Sequence, residues 1–281
     1  VLGRNVQFIT HKDQVIFESN EVLKDNGTPY LVYTPYSKKW LSKVTGKDYE
    51  SYPSALESNN WIKTSFKNII SLEEMGFEQT EIKLPGKKLK TETVEKYADE
   101  RNFPARDSTS HLGLHYRFGT VSIRKMAKKA SKSEENTYLK ELIWREFFMT
   151  ILHHFPRVVE NNYSKKYDGI EWRNNEEEFE KWKTGNTGYP LVDAGMRELN
   201  QTGFMHNRVR MLVASFLTKH LLIDWKWGEA YFAEKLLDFD LSSNNGNWQW
   251  SAGTGVDAQP YFRVFNPTTQ IEKFDKDRIY I

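Results

Sequence analysis

Apolar residues recur at helical spacing through the last two thirds of the chain, where the alternation of apolar and polar residues that is typical of strands almost disappears. Proline marks several boundaries, because it either stops a helix or occupies its first turn. The pattern predicts helices at 92–101, 121–130, 137–155, 190–200, 206–222, 228–237 and 242–252, and the start of a loop at 265–270. We therefore expect a mainly helical domain from residue 91 onward.

The first 90 residues follow a different pattern. Two short β-type runs, at 6–9 and 30–34, lie on either side of a turn at 25–27. A single hairpin is only marginally stable, so these strands either end a larger sheet domain or pack on the helices that follow. Residues 45–90 are polar, with one short helix expected at 71–75, and we interpret them as an interdomain linker. Their basic run at 83–90 could contact DNA or simply form a solvated surface.

Composition narrows the class of protein and of chemistry. The chain has 281 residues, of which 28% are charged and 14% aromatic, and its formal net charge is +2. It contains no cysteine, which excludes disulfides and thiolate catalysis, and we expect no metal site. No apolar run approaches the roughly 20 residues that cross a bilayer, so we expect a soluble, cytoplasmic protein. Redox chemistry would need a cofactor or aromatic side chains.

Polar residues interrupt the otherwise apolar helix expected at 206–222. Asn207, Arg208 and Arg210 would each cost several kcal/mol to bury unless they met partners. Asp238 and Asp240 lie among core-type residues farther along and could pair with Arg210. Such a buried pair is compatible with a purely structural role and with a binding site.

A second mixed stripe lies on the helix expected at 137–155. Glu141, Trp144, Arg145 and Phe148 fall at positions i, i+3, i+4 and i+7, so they share one side of the helix. One interpretation is an exposed salt bridge beside a half-buried tryptophan. The other is a cavity wall that stacks a base on Trp144, while Glu141 bonds the base edge and Arg145 faces phosphate.

Two further patterns carry candidate chemistry. Trp248 and Trp250 are two residues apart, so on a helix their rings point about 200° apart. Hydroxyl-bearing residues at 107–110 precede a helix, where they could either cap it or bind an anion.

Several of these stretches resemble one known family. They are FMHNRVRM at 204–211, LIDW at 222–225, NNGNWQW at 244–250 and YFRVFNP at 261–267, together with ELIWREF at 141–147 and TGYPLVDA at 187–194. In their order along the chain they resemble the photolyase/cryptochrome family, and most closely its bacterial-type (class I) DNA photolyases that split cyclobutane pyrimidine dimers. The resemblance is dense over 80–281 and faint over 1–45.

The resemblance implies a domain organisation. Residues 1–44 would be the end of an α/β antenna domain whose last helix includes 38–41, residues 45–90 the linker, and residues 91–281 the helical FAD-binding domain. Both ends would be incomplete. An antenna chromophore is possible, but the sequence does not identify it.

The resemblance also implies a cofactor, reduced anionic FAD, and its binding residues. Gly113 replaces the last serine of the family's phosphate-binding pattern, so one phosphate hydrogen bond must come from its backbone or be lost. Asn244 would face the reactive flavin nitrogen as a neutral amide. The residues expected to bind FAD are Tyr97, Thr109, Ser110, His111, Leu112, Gly113, Tyr138, Glu141, Arg145, Asn207, Arg210, Asp238, Phe239, Asp240 and Asn244.

The implied substrate is UV-damaged DNA bound by a monomer, with the dimer flipped out of the helix, as base-flipping enzymes require. Trp144 and Trp250 would sandwich the dimer. Glu141 and Asn207 would bond its polar edges, Met211 would cover it, and Arg101 and Arg208 would contact the strand. Trp248, Trp225 and Trp172 match the family's three-step electron path to the flavin, so we count them with Glu141 and Asn244 as catalytic candidates.

Other functions remain open at this stage. A cryptochrome-type blue-light receptor would use the same flavin without repair, although a receptor does not need a dimer cavity. The branch that repairs the six-four photoproduct has a His-His pair where this chain has His206-Asn207, and the single-strand-preferring branch usually has tyrosine at the position of Trp250. A truncated chain could also be inactive.

Overall fold

The computed structural model describes residues 8–51 and 69–281, and regular structure there is helical apart from one antiparallel bridge between Leu23 and Pro29. Short 3-10 helices lie at Gly46–Tyr49, Pro156–Val159 and Lys165–Tyr167. Within these ranges no helix is both long and apolar enough to span a bilayer. The α-helices are Tyr33–Lys43 (α1), Thr91–Glu95 (α2), Tyr97–Glu100 (α3), Gly113–Arg117 (α4), Ile123–Ala130 (α5), Thr137–His154 (α6), Glu176–Lys183 (α7), Pro190–Thr202 (α8), Asn207–Lys219 (α9), Trp225–Lys235 (α10), Leu241–Ala252 (α11) and Pro267–Phe274 (α12).

The mainly helical fold class is confirmed, and so are the predicted helices that correspond to α5, α6, α8, α9, α10 and α11, each within about three residues at either end. Polar side chains cap the N-terminal ends of α9, α10 and α11. The side chains of His206, Asp224 and Asp240 accept backbone N–H groups in the first turns of α9, α10 and α11. These bonds satisfy amides that have no partner within the helix.

Three of the predicted elements have the wrong extent or the wrong type of structure. The helix expected at 92–101 is divided into α2 and α3 at Lys96, whose φ of −90° and ψ of 0° interrupt it. The strand expected at 30–34 is instead the start of α1, because packing on α6 overrides the β-type composition. The loop expected from 265 contains α12, where Asn266 accepts the Thr269 N–H at 3.0 Å and Pro267 occupies the first position.

Other predicted elements also differ from the structure. Residues 71–75 form a turn that ends at Gly76 rather than a helix, and α4 and α7 were not predicted. Of the strand expected at 6–9, residues 6 and 7 lie outside the described residues, and 8 and 9 have no regular structure. The helix expected around residues 38–41 is confirmed as part of α1.

The core consists of two hydrophobic clusters. One surrounds α1, α5 and α6 and includes Tyr36 and Phe147; the other fills the space among α8, α9, α10 and α11 and includes Trp182. Helices α6 and α11 pack against each other where the clusters meet. At this crossing a Cβ on Gly246 would lie 2.1 Å from a ring carbon of Phe148, so only glycine permits so close an approach.

A buried carboxylate on α6 bonds to the described residues 8–43, which we call the N-terminal segment. Glu146 is 3% exposed and accepts the N–H groups of Ile16 at 2.8 Å and Phe17 at 3.1 Å, and the indole N–H of Trp40 at 2.6 Å. Burial raises the pKa of the Glu146 carboxyl to about 7, although these hydrogen bonds oppose the shift. The position of α6 is thereby tied to residues far away in the sequence.

Candidate functional site

Two adjoining cavities lie where α6, α9 and α11 meet. The inner cavity contains about 580 Å³ of empty space and the outer one about 940 Å³, each partly open to solvent. The predicted residues that line the inner cavity are Asn207, Arg210, Met211, Asp238, Phe239, Asp240, Asn244, Trp248 and Trp250. Those that line the outer cavity are Arg101, Glu141, Trp144, Arg145, Asn207, Met211 and Trp250.

The two cavities share one wall. Asn207 and Met211 on α9 and Ser243, Asn247 and Trp250 on α11 line both cavities. The three α11 residues fall at i, i+4 and i+7, so they lie on one face of that helix. Sequence reasoning missed Ser243 and Asn247, although their spacing from Trp250 could have identified them.

An ion pair lies at the inner cavity. Arg210 Nη2 is 3.0 Å from Asp238 Oδ2 and 3.2 Å from Oδ1, and Arg210 Nε donates to the Met205 carbonyl at 2.7 Å. The two side chains are 24% and 22% exposed. The predicted pairing of Arg210 is confirmed for Asp238, whereas Asp240 caps α11 instead.

Asn244, which is 8% exposed, is oriented by a residue that sequence reasoning missed. Its Nδ2 donates to Glu229 Oε1 at 2.9 Å and to the Glu229 carbonyl at 3.0 Å. Burial raises the pKa of the Glu229 carboxyl, against the Asn244 hydrogen bond, which lowers it. Because both contacts use the amide nitrogen, Asn244 Oδ1 remains as the acceptor available to a ligand in the inner cavity.

Gly113 lies against the Arg210–Asp238 pair. A Cβ at this position would be 2.8 Å from Asp238 Oδ2 and 3.2 Å from the Asp238 Cβ. Both distances are shorter than ordinary contacts, so a side chain at 113 would displace Asp238. The glycine therefore permits Asp238 to occupy its present position.

The outer cavity is lined by charged groups and aromatic rings. Arg101 and Glu141 form an ion pair in which each side chain is about one-third exposed. Arg145 donates to the Gln14 carbonyl at 2.7 Å, and burial lowers its pKa. The predicted stripe of Glu141, Trp144 and Arg145 thus lines a cavity that is partly open to solvent.

The hydroxyl run at 107–110 does not cap a helix. Leu112 occupies the N-cap of α4 without a side-chain hydrogen bond, whereas Ser110 Oγ accepts from the Tyr138 hydroxyl at 2.7 Å and the Leu112 N–H at 3.3 Å. Thr109, Ser110 and His111 line a separate polar cavity that also contains Lys88 and Lys90. The hydroxyls and two ammonium groups suit an anion such as a phosphate, whereas the Asp107 carboxylate, which also lines this cavity, opposes one.

Some predicted residues lie outside these cavities. Arg208 donates to Asn102 Oδ1, and its guanidinium lies 4.2 Å from the centre of the Phe274 ring. Leu112 is fully buried in the core. Tyr97 packs edge-on against Tyr138 at 4.9 Å.

The three tryptophans of the predicted electron path differ in burial. Trp248 and Trp225 are 2% and 1% exposed, and Trp172 is half-buried against the second cluster. Among the described residues, the ring neighbours of Trp248 are Phe232 at 5.0 Å and Trp182 at 6.1 Å, and Trp225 is not one of them. The indole N–H of Trp225 donates to Asn162 Oδ1 at 2.8 Å.

Matches to protein-family models show which family the chain belongs to. Residues 138–281 match the model of the FAD-binding domain of DNA photolyase, and residues 1–55 match a second model described as DNA photolyase. The chain belongs to the photolyase/cryptochrome family. The two matched regions contain nearly all of α6 to α12 and the described N-terminal segment.

Individual family members are similar over about two thirds to nearly all of the chain. The deoxyribodipyrimidine photo-lyase of Halobacterium salinarum is 40% identical, and the match covers 96% of this chain and 60% of that protein. A class III photolyase structure from Agrobacterium tumefaciens has a TM-score of 0.79 at 35% identity, with coverage of 95% and 60%. An archaeal photolyase from Sulfolobus tokodaii, described with two FAD molecules, is 51% identical, with a TM-score of 0.62 and coverage of 64% and 41%. This chain spans about three fifths of the length of the first two relatives.

The residues present fit the FAD of the photolyase/cryptochrome family. The inner cavity has apolar walls at Ala214, Phe232 and Phe239, which suit a flat aromatic ring. Its polar groups, the Arg210–Asp238 pair and Asn244 Oδ1, could bond the edge of such a ring. The separate cavity at Thr109 and Ser110 supplies the chemistry that a pyrophosphate needs.

Proposed function

We propose that this chain carries the flavin and substrate sites of a DNA photolyase that splits cyclobutane pyrimidine dimers in light. The observation that carries the proposal is the wall shared by the two cavities. A flavin in the inner cavity and a dimer in the outer cavity would meet at Asn207, Met211 and Trp250. The activity named for the relatives supports the same assignment.

Bound FAD would supply the light-driven one-electron chemistry, and this chain's residues would prepare both sides for it. In the inner cavity, Asn244 Oδ1 would accept a hydrogen bond from a protonated ring nitrogen. The guanidinium of Arg210, set in place by Asp238, would stabilise negative charge on the ring. The buried rings of Phe232 and Trp248 would exclude water.

In the outer cavity, the substrate would meet two indoles and a carboxylate. Trp144 and Trp250 would provide flat surfaces for the unstacked bases. The Glu141 carboxylate would accept the N–H of a pyrimidine edge, and its ion pair with Arg101 holds the carboxylate at the cavity. We retain Arg208 as a strand contact, although its guanidinium packs on Phe274.

The finer assignments belong to the same proposal. We assign the chain to the bacterial-type class I enzymes, supported by Trp250 and by the series Trp248, Trp225 and Trp172. Fold similarity alone does not separate the classes, because a class III enzyme has a TM-score of 0.79. We also propose that the series returns electrons to oxidised flavin and that the protein acts as a monomer on damaged DNA.

The activity can be tested directly. The FAD-loaded protein, reduced without oxygen, would be mixed with an oligonucleotide that carries one cis-syn thymine dimer, and dimer content would be followed in the dark and under blue light. We expect loss of the dimer only in light. If reduced flavin is bound and the dimer persists, repair is excluded and a light receptor becomes the better assignment.

The substrate site can be tested separately. Because Trp144 is proposed to stack on a base, Trp144→Ala should weaken binding of dimer-containing DNA by about 1–3 kcal/mol. Trp227→Ala is a matched control, since Trp227 is a half-buried tryptophan that packs on Phe179 and lines neither cavity. Equal affinities for the wild type and Trp144→Ala would remove Trp144 from the substrate site.

A further inference from the structure

One face of the Trp144 indole is covered by another residue of this chain. The Tyr33 ring lies parallel to it, with 3.7 Å between ring centroids and 7° between ring planes. Trp144 also lines the outer cavity. A ring in such contact with one face leaves only the other face and the edge for a base.

Tyr33 is itself held in place by contacts at both ends. Its N–H donates to Asp257 Oδ2 at 3.0 Å, and its hydroxyl donates to the Lys140 carbonyl at 2.7 Å. Lys140 lies one turn before Trp144 on α6, so the hydroxyl is anchored to the same helix as the indole. The phenol ring is therefore fixed relative to α6 even though it belongs to α1.

The other ring neighbours of Trp144 cannot fix it in the same way. They are Phe147, edge-on at 5.6 Å, and Phe148, at 5.5 Å and 29°. Both lie on α6 and follow Trp144 within one turn, whereas Tyr33 approaches from a different helix. Among the described residues, Tyr33 is the aromatic contact that ties the indole to the N-terminal segment.

We propose that Tyr33 is a positioning residue that holds the Trp144 indole in the orientation that stacks on the lesion. This inference rests on the proposed function, because it assigns Tyr33 a role only through Trp144. An indole already ordered before DNA binds loses less side-chain freedom on binding, so the complex is tighter. The stacked Tyr33 ring also excludes bases from the covered face.

The test compares Tyr33 and Trp144 variants of the FAD-loaded protein. Dissociation constants would be measured in the dark, by fluorescence anisotropy, for one oligonucleotide with and without a cis-syn thymine dimer. Tyr33→Ala should weaken binding of the dimer-containing strand about 2- to 12-fold, the range expected for one aromatic pair. Binding of the undamaged strand should not change, and Tyr33→Phe should resemble the wild type because it keeps the stacked ring.

A double-mutant cycle separates positioning from general stabilisation. If Tyr33 acts through Trp144, then Tyr33→Ala should add no loss of affinity once Trp144 is alanine. Independent, additive losses would overturn the proposal. The near-ultraviolet circular dichroism of the Trp144 indole gives a readout that does not need activity: it should weaken in Tyr33→Ala, which frees the indole, and persist in Tyr33→Phe, which keeps a stacked ring.

Control variants test whether a loss of affinity comes from misfolding, and whether the proposed substrate site is itself correct. Tyr33→Leu keeps apolar volume without a flat ring and should lose affinity for the dimer as Tyr33→Ala does, which preserves the test if the alanine variant does not fold. Tyr30→Ala removes a half-buried tyrosine of the same segment that packs on Tyr36, and it should leave dimer binding unchanged. If Trp144→Ala weakens dimer binding but neither Tyr33→Ala nor Tyr33→Leu does, only the positioning role is wrong. If Trp144→Ala has no effect, the substrate site itself is wrong.

Discussion

The inner and outer cavities share a wall, yet different parts of the chain build them. In the inner cavity, Arg210 and Asp238 are 28 residues apart, and Asn244 and Glu229 are 15 apart. In the outer cavity, Arg101 and Glu141 are 40 residues apart, and the Arg145 contact with Gln14 spans 131.

The two cavities therefore depend on different parts of the structure. Neighbouring helices α9, α10 and α11 can form the polar contacts of the inner cavity among themselves. The outer cavity depends in addition on how the N-terminal segment packs on α6. Changes at that junction should therefore affect the outer cavity first, and changes at the α9–α11 contacts should affect the inner one.

The largest change in the free energy of unfolding should come from Glu146, whose carboxylate bonds to the N-terminal segment. The folded pKa of Glu146, about 7, lies above the ordinary value of 4.5, so its contribution to stability is present below 4.5 and is lost as pH rises through 7. Between pH 4.5 and 8, the free energy of unfolding of the wild type should fall relative to Glu146→Gln by about 3 kcal/mol, at about 1.4 kcal/mol per pKa unit.

Urea denaturation at both pH values measures this difference. Glu135→Gln, which changes an exposed glutamate, serves as the control and should follow the wild type. Parallel pH profiles for Glu146→Gln and the wild type would contradict the assigned shift.

Asp238→Ala should act mainly on the inner cavity. It would leave Arg210 without its carboxylate, and the expected loss is roughly 2–3 kcal/mol of unfolding free energy, less than for a fully buried pair. FAD affinity should fall with it. Asp25→Ala, which removes the exposed carboxylate paired with Lys39 and lines neither cavity, is the matched control. Unchanged stability and FAD affinity together would show that the pair is not important for the cavity.

Gly246→Ala should widen the contact between α6 and α11. The new Cβ would overlap the Phe148 ring, and overpacking of this kind costs about 1–2 kcal/mol. Because α6 lines only the outer cavity, dimer binding should weaken more than FAD binding. Gly169→Ala is the control, since no atom lies within 4 Å of its new Cβ. Equal weakening of both ligands would argue against separate construction of the cavities.

The smallest effect on stability, under about 0.5 kcal/mol, should come from Trp172→Phe, because Trp172 is half-buried and both side chains are aromatic. If Trp172 is the surface end of the electron path, this variant should slow photoreduction of oxidised flavin and spare repair by protein reduced beforehand. Absorbance spectra and dimer assays measure the two rates. An equal loss of both would show that Trp172 has another role.

Local sequence signals predicted part of the fold. Helices α6, α9 and α11 were predictable because their apolar spacing and terminal residues agree with their final environment. The start of helix α1 was not, because a β-branched and aromatic run at 30–34 favours a strand until Tyr36 and Trp40 pack on α6. Helix α12 was missed although asparagine followed by proline is a usual helix start.

The candidate site shows the same limit. The Arg210–Asp238 pair could be anticipated, because unpaired charges in an apolar helix need partners. Glu229 could not, since nothing in its own neighbourhood distinguishes it from a surface glutamate. The stacking of Tyr33 on Trp144 and the bonds to Glu146 join residues more than 100 positions apart, and one sequence contains no signal for such pairings.

The close approach of Gly113 to Asp238 has a consequence for exchanging residues between relatives. A serine at 113, as in the family pattern, would require Asp238 to rotate away from Arg210 or the backbone at 113 to shift. The effect of that serine should therefore depend on which residue is present at 238. Positions 113 and 238 should behave as an epistatic pair.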